Sequence, residues 1–177
     1  MGTPGLSVSA GPPNLTPRTV VIGVGNALRC DDAAGLHVAR RLRTDPRAAD
    51  IEVREMEGEA LGLLDVWEGA DAVVIVDAVR SGASPGMIHR IRADVESLPA
   101  TLRGSTSTHA FGLREAIELA RALGRLPARV VIYGVEGRDF LAGTDISPEV
   151  EAAIDGLAER LWREVLCPTG RFITEDR

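Results

Sequence analysis

The sequence has few aromatic residues, few cysteines and no long apolar run. Only 3% of its 177 residues are aromatic, so stacking surfaces for single-stranded nucleic acid are not expected. The net charge of −6 has the wrong sign for binding phosphate backbones. No apolar run approaches the roughly 20 residues that a membrane-spanning helix requires. These absences predict a protein that binds neither nucleic acid nor a membrane.

The cysteines and the first residues bear on compartment and domain organisation. Cys30 and Cys167 lie far apart and match no CxxC or zinc-ribbon spacing. Residues 1–17 are rich in glycine and proline and lack the basic and apolar regions of a signal peptide. We therefore expect a cytoplasmic monomer with a flexible leader at 1–18, one domain at 19–166 and a C-terminal tail at 167–177.

Strand-like and helix-like patterns alternate along the domain. Runs of β-branched apolar residues predict buried strands, and apolar residues at three- and four-residue steps predict helices. The strands are predicted at 19–24, 51–56, 72–79, 87–92 and 129–135. The helices are predicted at 33–44, 60–67, 112–123 and 148–165, the last with Ser147 as its cap. The fold class expected is α/β, with three α/β/α layers: a twisted, mainly parallel five-stranded sheet with helices on both faces.

The loop after the first strand partly matches a dinucleotide-binding motif. Gly23 and Gly25 give its first two glycines, but Leu28 stands where the third belongs. Asp31 and Asp32 would also repel a phosphate. A nucleotide-binding α/β enzyme remains as an alternative on this motif alone.

Residues 82–86 read GASPG and match the G-x-S-x-G pattern of serine hydrolases letter for letter. In those enzymes the residue after the serine donates its backbone N–H to the oxyanion. Here that residue is Pro85, which has no N–H. The pattern therefore predicts a turn between two strands and no nucleophilic serine.

Polar side chains follow three of the predicted strands, and ligands of open α/β sheets bind beyond the carboxyl ends of strands. Asp77 lies inside the apolar run AVVIVDAV, where a carboxylate is costly unless it is paired or binds a cation. Asp31 and Asp32 precede the first helix, so one can cap it while the other faces the crevice. His109 lies in a Ser/Thr-rich loop before the third helix. Two oxygen ligands and one nitrogen suit a divalent transition metal, and the same groups suit acid–base catalysis.

The remaining histidines and Cys30 are weaker candidates. His37 lies inside the first helix and His89 lies on a half-exposed strand, so both are expected to be structural. Cys30 stands beside the acids, but no second thiol pairs with it, so it is left out of the candidate site.

Three separated segments, GVGNALRCDDAAG, AVVIVDAV and STHAFGL, resemble the hydrogenase maturation proteases in their order. These endopeptidases trim the C-terminus of the large subunit of [NiFe]-hydrogenase. The resemblance runs from about Val20 to Val165 and implies a twisted sheet with helices on both faces. The family's three metal-binding residues fall on Asp32, Asp77 and His109, and the resemblance implies Asp32 and Asp77 as catalytic residues.

The activity implied is a cut made after nickel has entered the precursor. The cofactor would then be nickel recognised in the substrate, for which other divalent metals can substitute, and the partner would be the [NiFe]-hydrogenase large-subunit precursor. One carboxylate, or a water polarised by the metal, would serve hydrolysis. A non-enzymatic nickel-binding assembly factor would need the same ligands, so it stays open as an alternative.

Two stretches depart from the family pattern. Family members often carry a Gly-Gly-Thr loop after the second strand, but residues 57–62 read EGEALG here. This difference leaves open which hydrogenase class the chain would serve. Ala33 stands where the family has a glycine; this change is milder, because alanine is favourable at a helix start.

Overall fold

The structure is a computed structural model that describes residues 18–49, 51–57, 60–99 and 108–163. Residues 1–17, the predicted tail at 167–177 and the polar stretch 101–107 lie outside the described residues. Within the described ranges five strands and four α-helices follow one another: β1 Thr19–Val24, α1 Ala34–Thr44, β2 Glu52–Met56, α2 Ala60–Val66, β3 Ala72–Val79, β4 Ile88–Arg92, α3 Thr108–Ala122, β5 Arg129–Glu136 and α4 Pro148–Leu161. None of these helices is both long and apolar enough to cross a bilayer.

The five strands form one sheet in the order β2-β1-β3-β5-β4. β1, β2, β3 and β5 pair in parallel, and β4 runs antiparallel to β5. The predicted α/β class and the mainly parallel five-stranded sheet are therefore confirmed. Residues 82–86 lie between β3 and β4 outside either strand, as expected for a turn that connects two strands.

Two apolar layers cover the two faces of the sheet. On one face, Ile75 and Ile132 belong to a cluster with Trp67 and with Ile117 of α3. On the other face, Tyr133 belongs to a cluster that contains residues of α1 and α4. Every residue of β3 is buried, which is why its sequence reads as a continuous apolar run with no alternation.

Among the differences from the sequence prediction, two concern element boundaries and one concerns a helix cap. α3 begins at Thr108 instead of Gly112, so His109 belongs to the first turn of the helix and not to a loop. β5 extends one residue further, to Glu136. Ser147 stands at the N-cap position of α4, but its side chain makes no capping hydrogen bond; the hydroxyl instead donates to a carboxylate described below. The predicted side-chain cap at Ser147 was therefore wrong.

Helix α1 lies directly against the ends of β1 and β3 because Gly35 has no side chain. A Cβ on Gly35 would come closer to the carbonyl oxygens of Val24 and Val76 than the 3.0 Å below which such contacts are essentially never seen. A Cβ on Gly23 would meet the carbonyl oxygen of Gly35 equally closely. The backbones of helix and sheet thus touch at this point, which places the start of α1 over the carboxyl ends of two central strands.

We expect Gly35→Ala to destabilise the protein by at least about 3 kcal/mol, the upper end of the usual cost of overpacking, because both obstructing atoms belong to the backbone. Gly156→Ala is the matched control: it lies in α4 with open space around its Cβ position. There alanine should stabilise the helix by up to about 1 kcal/mol. Urea unfolding monitored by circular dichroism measures both changes, and equal stability of Gly35→Ala and the wild type would contradict the close approach.

Candidate functional site

The carboxyl ends of β1, β3 and β5 lie side by side, and the loops that follow them form one edge of the sheet. The loops after β1 and β5 are joined through their backbones. The Cys30 N–H donates to the Gly143 carbonyl at 2.9 Å, and the Gly143 N–H donates to the Leu28 carbonyl at 3.0 Å. This edge is where the fold rule places a ligand, and both acids predicted for the site lie on it.

Asp31 ties the loop after β5 to the loop after β1. Its carboxylate accepts the N–H groups of Arg138, Asp139 and Ser147 at 2.8, 2.9 and 2.7 Å, and the Ser147 hydroxyl at 2.8 Å. Neither the 3-10 turn at Cys30–Ala33 nor α1 has a side-chain cap. The prediction that one of the two acids caps the helix was therefore wrong, because the turn directs Asp31 to the distant loop.

The hydrogen bonds determine the ionisation of Asp31. Burial by itself would raise the pKa of this carboxyl, but the N–H groups of Asp139, Ser147 and Arg138 and the Ser147 hydroxyl lower the pKa below its ordinary value. An ionised carboxylate that accepts four hydrogen bonds is fully satisfied as a structural group. Asp31 consequently acts as a structural group that joins the two loops.

Asp32 and Asp77 are the two acids that the structure brings together. Both are buried, at 0% and 2% exposure. Burial first, and then repulsion from the Asp32 carboxylate, raise the pKa of Asp77 well above its ordinary value, and a hydrogen bond from the backbone of Ala78 offsets this only in part. Two carboxyl groups thus share an apolar environment, an arrangement that is common in catalytic sites and expensive in purely structural ones.

One oxygen of Asp77 is unsatisfied. Within the part of the chain that the structure describes, Oδ1 of Asp77 is buried and has no hydrogen-bond partner. A buried carboxylate oxygen without a donor is rare in proteins and needs an explanation. A divalent cation bound at this oxygen would be such an explanation. Carboxylate oxygens are good ligands for such ions, and the positive charge would cancel the repulsion between Asp32 and Asp77.

The third predicted ligand, His109, is only partly described. Its backbone lies in the first turn of α3, and its side chain lies outside the described residues. Among the described side chains, no three of the histidine, cysteine, aspartate and glutamate type come close enough to hold a metal ion. Asp32, Asp77 and His109 as a set of metal ligands therefore stay a prediction.

Glu136 is a buried acid that sequence reasoning missed. Its carboxylate, only 1% exposed, accepts the Ser81 N–H and hydroxyl and the Gly82 N–H at 2.7–2.9 Å, and lies 3.3 Å from Nε2 of His89. It fixes the loop that follows β3 to the end of β5, and His89 has a structural contact as predicted. The signal was present, because Glu136 is an acid at the end of the apolar strand β5, as Asp77 is an acid within the apolar strand β3.

Cys30 does not face the two acids as a ligand would. It has a left-handed backbone with φ of 47°, and its Sγ lies against Gly143. Burial, followed by the charge of Asp139, raises the pKa of its thiol. A protonated, buried thiol is a poor metal ligand, in agreement with its omission from the candidate site.

Comparison with known proteins identifies the family of this chain. A family model described as hydrogenase maturation protease matches residues 37–164. The chain belongs to the hydrogenase maturation protease family. It is 31% identical over 154 residues to the hydrogenase expression/formation protein HupD of Rhodobacter capsulatus, covering 84% of this chain and 71% of that protein. It is 28% identical over 146 residues to the hydrogenase 2 maturation protease of Escherichia coli, covering 81% and 88%.

A solved structure of the same type confirms the fold. The hydrogenase maturating endopeptidase HybD from Escherichia coli superposes with a TM-score of 0.68 at 27% identity, covering 82% of this chain and 90% of that one. The resemblance predicted from the three sequence segments is thus confirmed, and the protein is an endopeptidase of hydrogenase maturation. Membership of this family favours the protease over the nucleotide-binding enzyme and over the non-enzymatic assembly factor.

We expect Asp77→Asn to make the metal-free protease more stable at neutral pH. The pKa of Asp77 is raised in the folded state, so with rising pH the unfolded chain loses its proton first and the folded state loses stability. The amide removes this titration and can donate to the Asp32 carboxylate. For a chain of this size, each kcal/mol gained raises Tm by about 2–4 °C.

The measurement is Tm of the variant minus Tm of the wild type between pH 4 and pH 8, in the presence of a chelator. The difference should be positive and grow with pH. Asp65→Asn, an exposed aspartate on α2, should give a difference that stays flat. A Tm difference for Asp77→Asn that falls as pH rises would contradict the repulsion between the two carboxylates.

Proposed function

We propose that this endopeptidase removes the C-terminal extension of a [NiFe]-hydrogenase large-subunit precursor after nickel insertion. The observation that carries the proposal is the buried pair of Asp32 and Asp77, with an unsatisfied oxygen on Asp77, at the carboxyl edge of the sheet. Nickel is part of the substrate in this account. The printed names of the relatives, which refer to hydrogenase maturation, support the substrate class.

Recognition of nickel follows from the charges of the site. The nickel of the precursor approaches oxygens of Asp32 and Asp77, and the imidazole of His109 completes a set of two oxygens and one nitrogen. Three ligands from the protease leave other positions for groups of the precursor or for water. A precursor without nickel meets two acids that repel one another, so it gains no such interaction. The metal therefore acts as a checkpoint before cleavage.

Hydrolysis needs a base for the attacking water and an acid for the leaving amine. A carboxylate oxygen that does not bind the nickel takes a proton from a water molecule. The resulting hydroxide adds to the carbonyl carbon of the scissile peptide bond. The C–N bond then breaks as the amine takes up a proton from the carboxyl group. The raised pKa of Asp77 beside Asp32 suits this exchange, since two coupled carboxyls can hold one proton between them. A water polarised by the nickel is the alternative nucleophile.

We infer that this reaction takes place in the cytoplasm. Cys30 is a free thiol among the described residues, as is usual for proteins in reducing compartments. The monomeric state stays a prediction. The hydrogenase class served also stays open, because Gly58 and Glu59 of the altered 57–62 loop lie outside the described residues.

We expect Asp32→Asn, Asp77→Asn and His109→Ala each to slow processing of the nickel-loaded precursor by about 100-fold or more, the usual loss for an acid–base or ligand group. Cleavage is followed by mass spectrometry of the released peptide, with Tm measured to show that each variant is folded. His37→Ala is the matched control, since His37 is half-buried on α1 and should retain the wild-type rate. Processing by His109→Ala at the wild-type rate would refute the ligand set.

A further inference from the structure

Two leucines at the active-site edge are exposed to an unusual degree. Leu28 follows β1 and keeps 69% of its surface exposed, and Leu141 follows β5 and keeps 73% exposed. Their loops are joined, because the Gly143 N–H donates to the Leu28 carbonyl at 3.0 Å. Exposed apolar side chains on two loops that are bonded to one another are typical of an interaction surface, whereas a single exposed leucine is unremarkable.

The backbone that carries these leucines is held by hydrogen bonds on both sides. The Leu28 N–H donates to the Asn26 side chain at 2.9 Å, and the Leu141 N–H donates to the Asp139 carboxylate at 2.9 Å. The Arg29 guanidinium joins the two loops by donating to the Phe140 carbonyl at 3.1 and 3.3 Å. The surface is therefore already ordered before a partner binds, which lowers the entropic cost of association.

An arginine without a carboxylate partner stands next to this surface. The exposed Arg80 guanidinium lies 4.8 Å from the centre of the Phe140 ring, and it donates to the Arg138 carbonyl at 3.4 Å. Among the described residues it makes no ion pair, whereas most of the exposed arginines in those ranges, such as Arg47 and Arg125, do. Its charge is thus available to a carboxylate of a partner, which a guanidinium can bind through two hydrogen bonds.

We propose that Leu28, Leu141 and Arg80 form a docking surface for the hydrogenase precursor. An apolar stretch of the precursor covers the two leucines, and a neighbouring carboxylate of the precursor pairs with Arg80. The position of the docking surface favours the precursor as its partner over an unrelated protein. Leu28 and Asp32 belong to one loop and lie four residues apart, so their Cα atoms are within about 14 Å. A chain bound on this surface lies beside the two acids. The inference rests on the proposed function and deepens it.

The test compares KM and kcat for cleavage of the nickel-loaded precursor. We expect the double variant Leu28→Ser/Leu141→Ser to raise KM about 10-fold with kcat within about twofold, because about 1.4 kcal/mol of apolar contact is lost. Arg80→Glu should raise KM by a similar factor, and the wild-type KM should rise with salt. All three positions are exposed or partly exposed, so Tm should change little.

The matched controls lie at the other edge of the sheet. Leu123 is 56% exposed and follows the end of α3, where the chain turns back towards the start of β5. Leu123→Ser and Arg125→Glu should leave KM at the wild-type value. A direct binding measurement with the inactive Asp77→Asn protein and the same precursor should reproduce the KM changes as changes in Kd.

The outcomes separate this inference from the proposed function. Cleavage by the wild type together with an unchanged KM for the leucine and arginine variants would overturn the docking surface and leave the proposed function standing. A loss confined to kcat would also overturn it, since a docking residue acts on binding. Absence of cleavage by the wild type, with nickel-loaded precursor present, would overturn the proposed function and the docking surface with it.

Discussion

The contact between the backbone of α1 and the ends of β1 and β3 determines how this helix packs on the sheet and where the two buried acids lie. At Gly35 the helix touches the carbonyl oxygens of Val24 and Val76, with no room for a side chain between them. Asp32 lies three residues before this point, and Asp77 immediately follows Val76. The same contact that seats the helix on the sheet therefore also holds in the interior one acid from the turn before α1 and one from β3. The packing of the helix and the geometry of the candidate site are in this way determined together.

The burial of two acids side by side lowers the stability of the folded protein. Burial first, and then the repulsion from Asp32, raise the pKa of Asp77; in an apolar environment this repulsion is much stronger than it would be in water. A fold selected for stability alone would replace such a pair by apolar residues. A divalent cation converts the repulsion into attraction, so the feature that weakens the free protease is the one that would recognise a metal-loaded substrate. By contrast, Asp31 is fully satisfied and stabilises the loops around the pair.

The sequence predicts those parts of the structure that depend on local periodicity. The run at 72–79 is apolar apart from Asp77 because β3 is buried on both faces, and this acid stands out as a candidate for the site because burial of a carboxylate is costly. The role of Asp31 was not predictable in this way, since its hydrogen-bond partners lie 107–116 residues further along the chain. Adjacent acids look alike in a sequence, and only the 3-10 turn at Cys30–Ala33 separates their directions.

The central claim is that cleavage requires nickel in the precursor. Intact mass spectrometry of the precursor tests this requirement most directly. The wild-type protease is incubated with a nickel-loaded large-subunit precursor and, separately, with a nickel-free sample of the same precursor. The intact mass of each precursor is measured before and after incubation. The account predicts that a C-terminal peptide is lost from the loaded form alone. Equal cleavage of both forms would contradict the nickel checkpoint, and no cleavage of a loaded precursor that binds the protease would contradict the proposed activity.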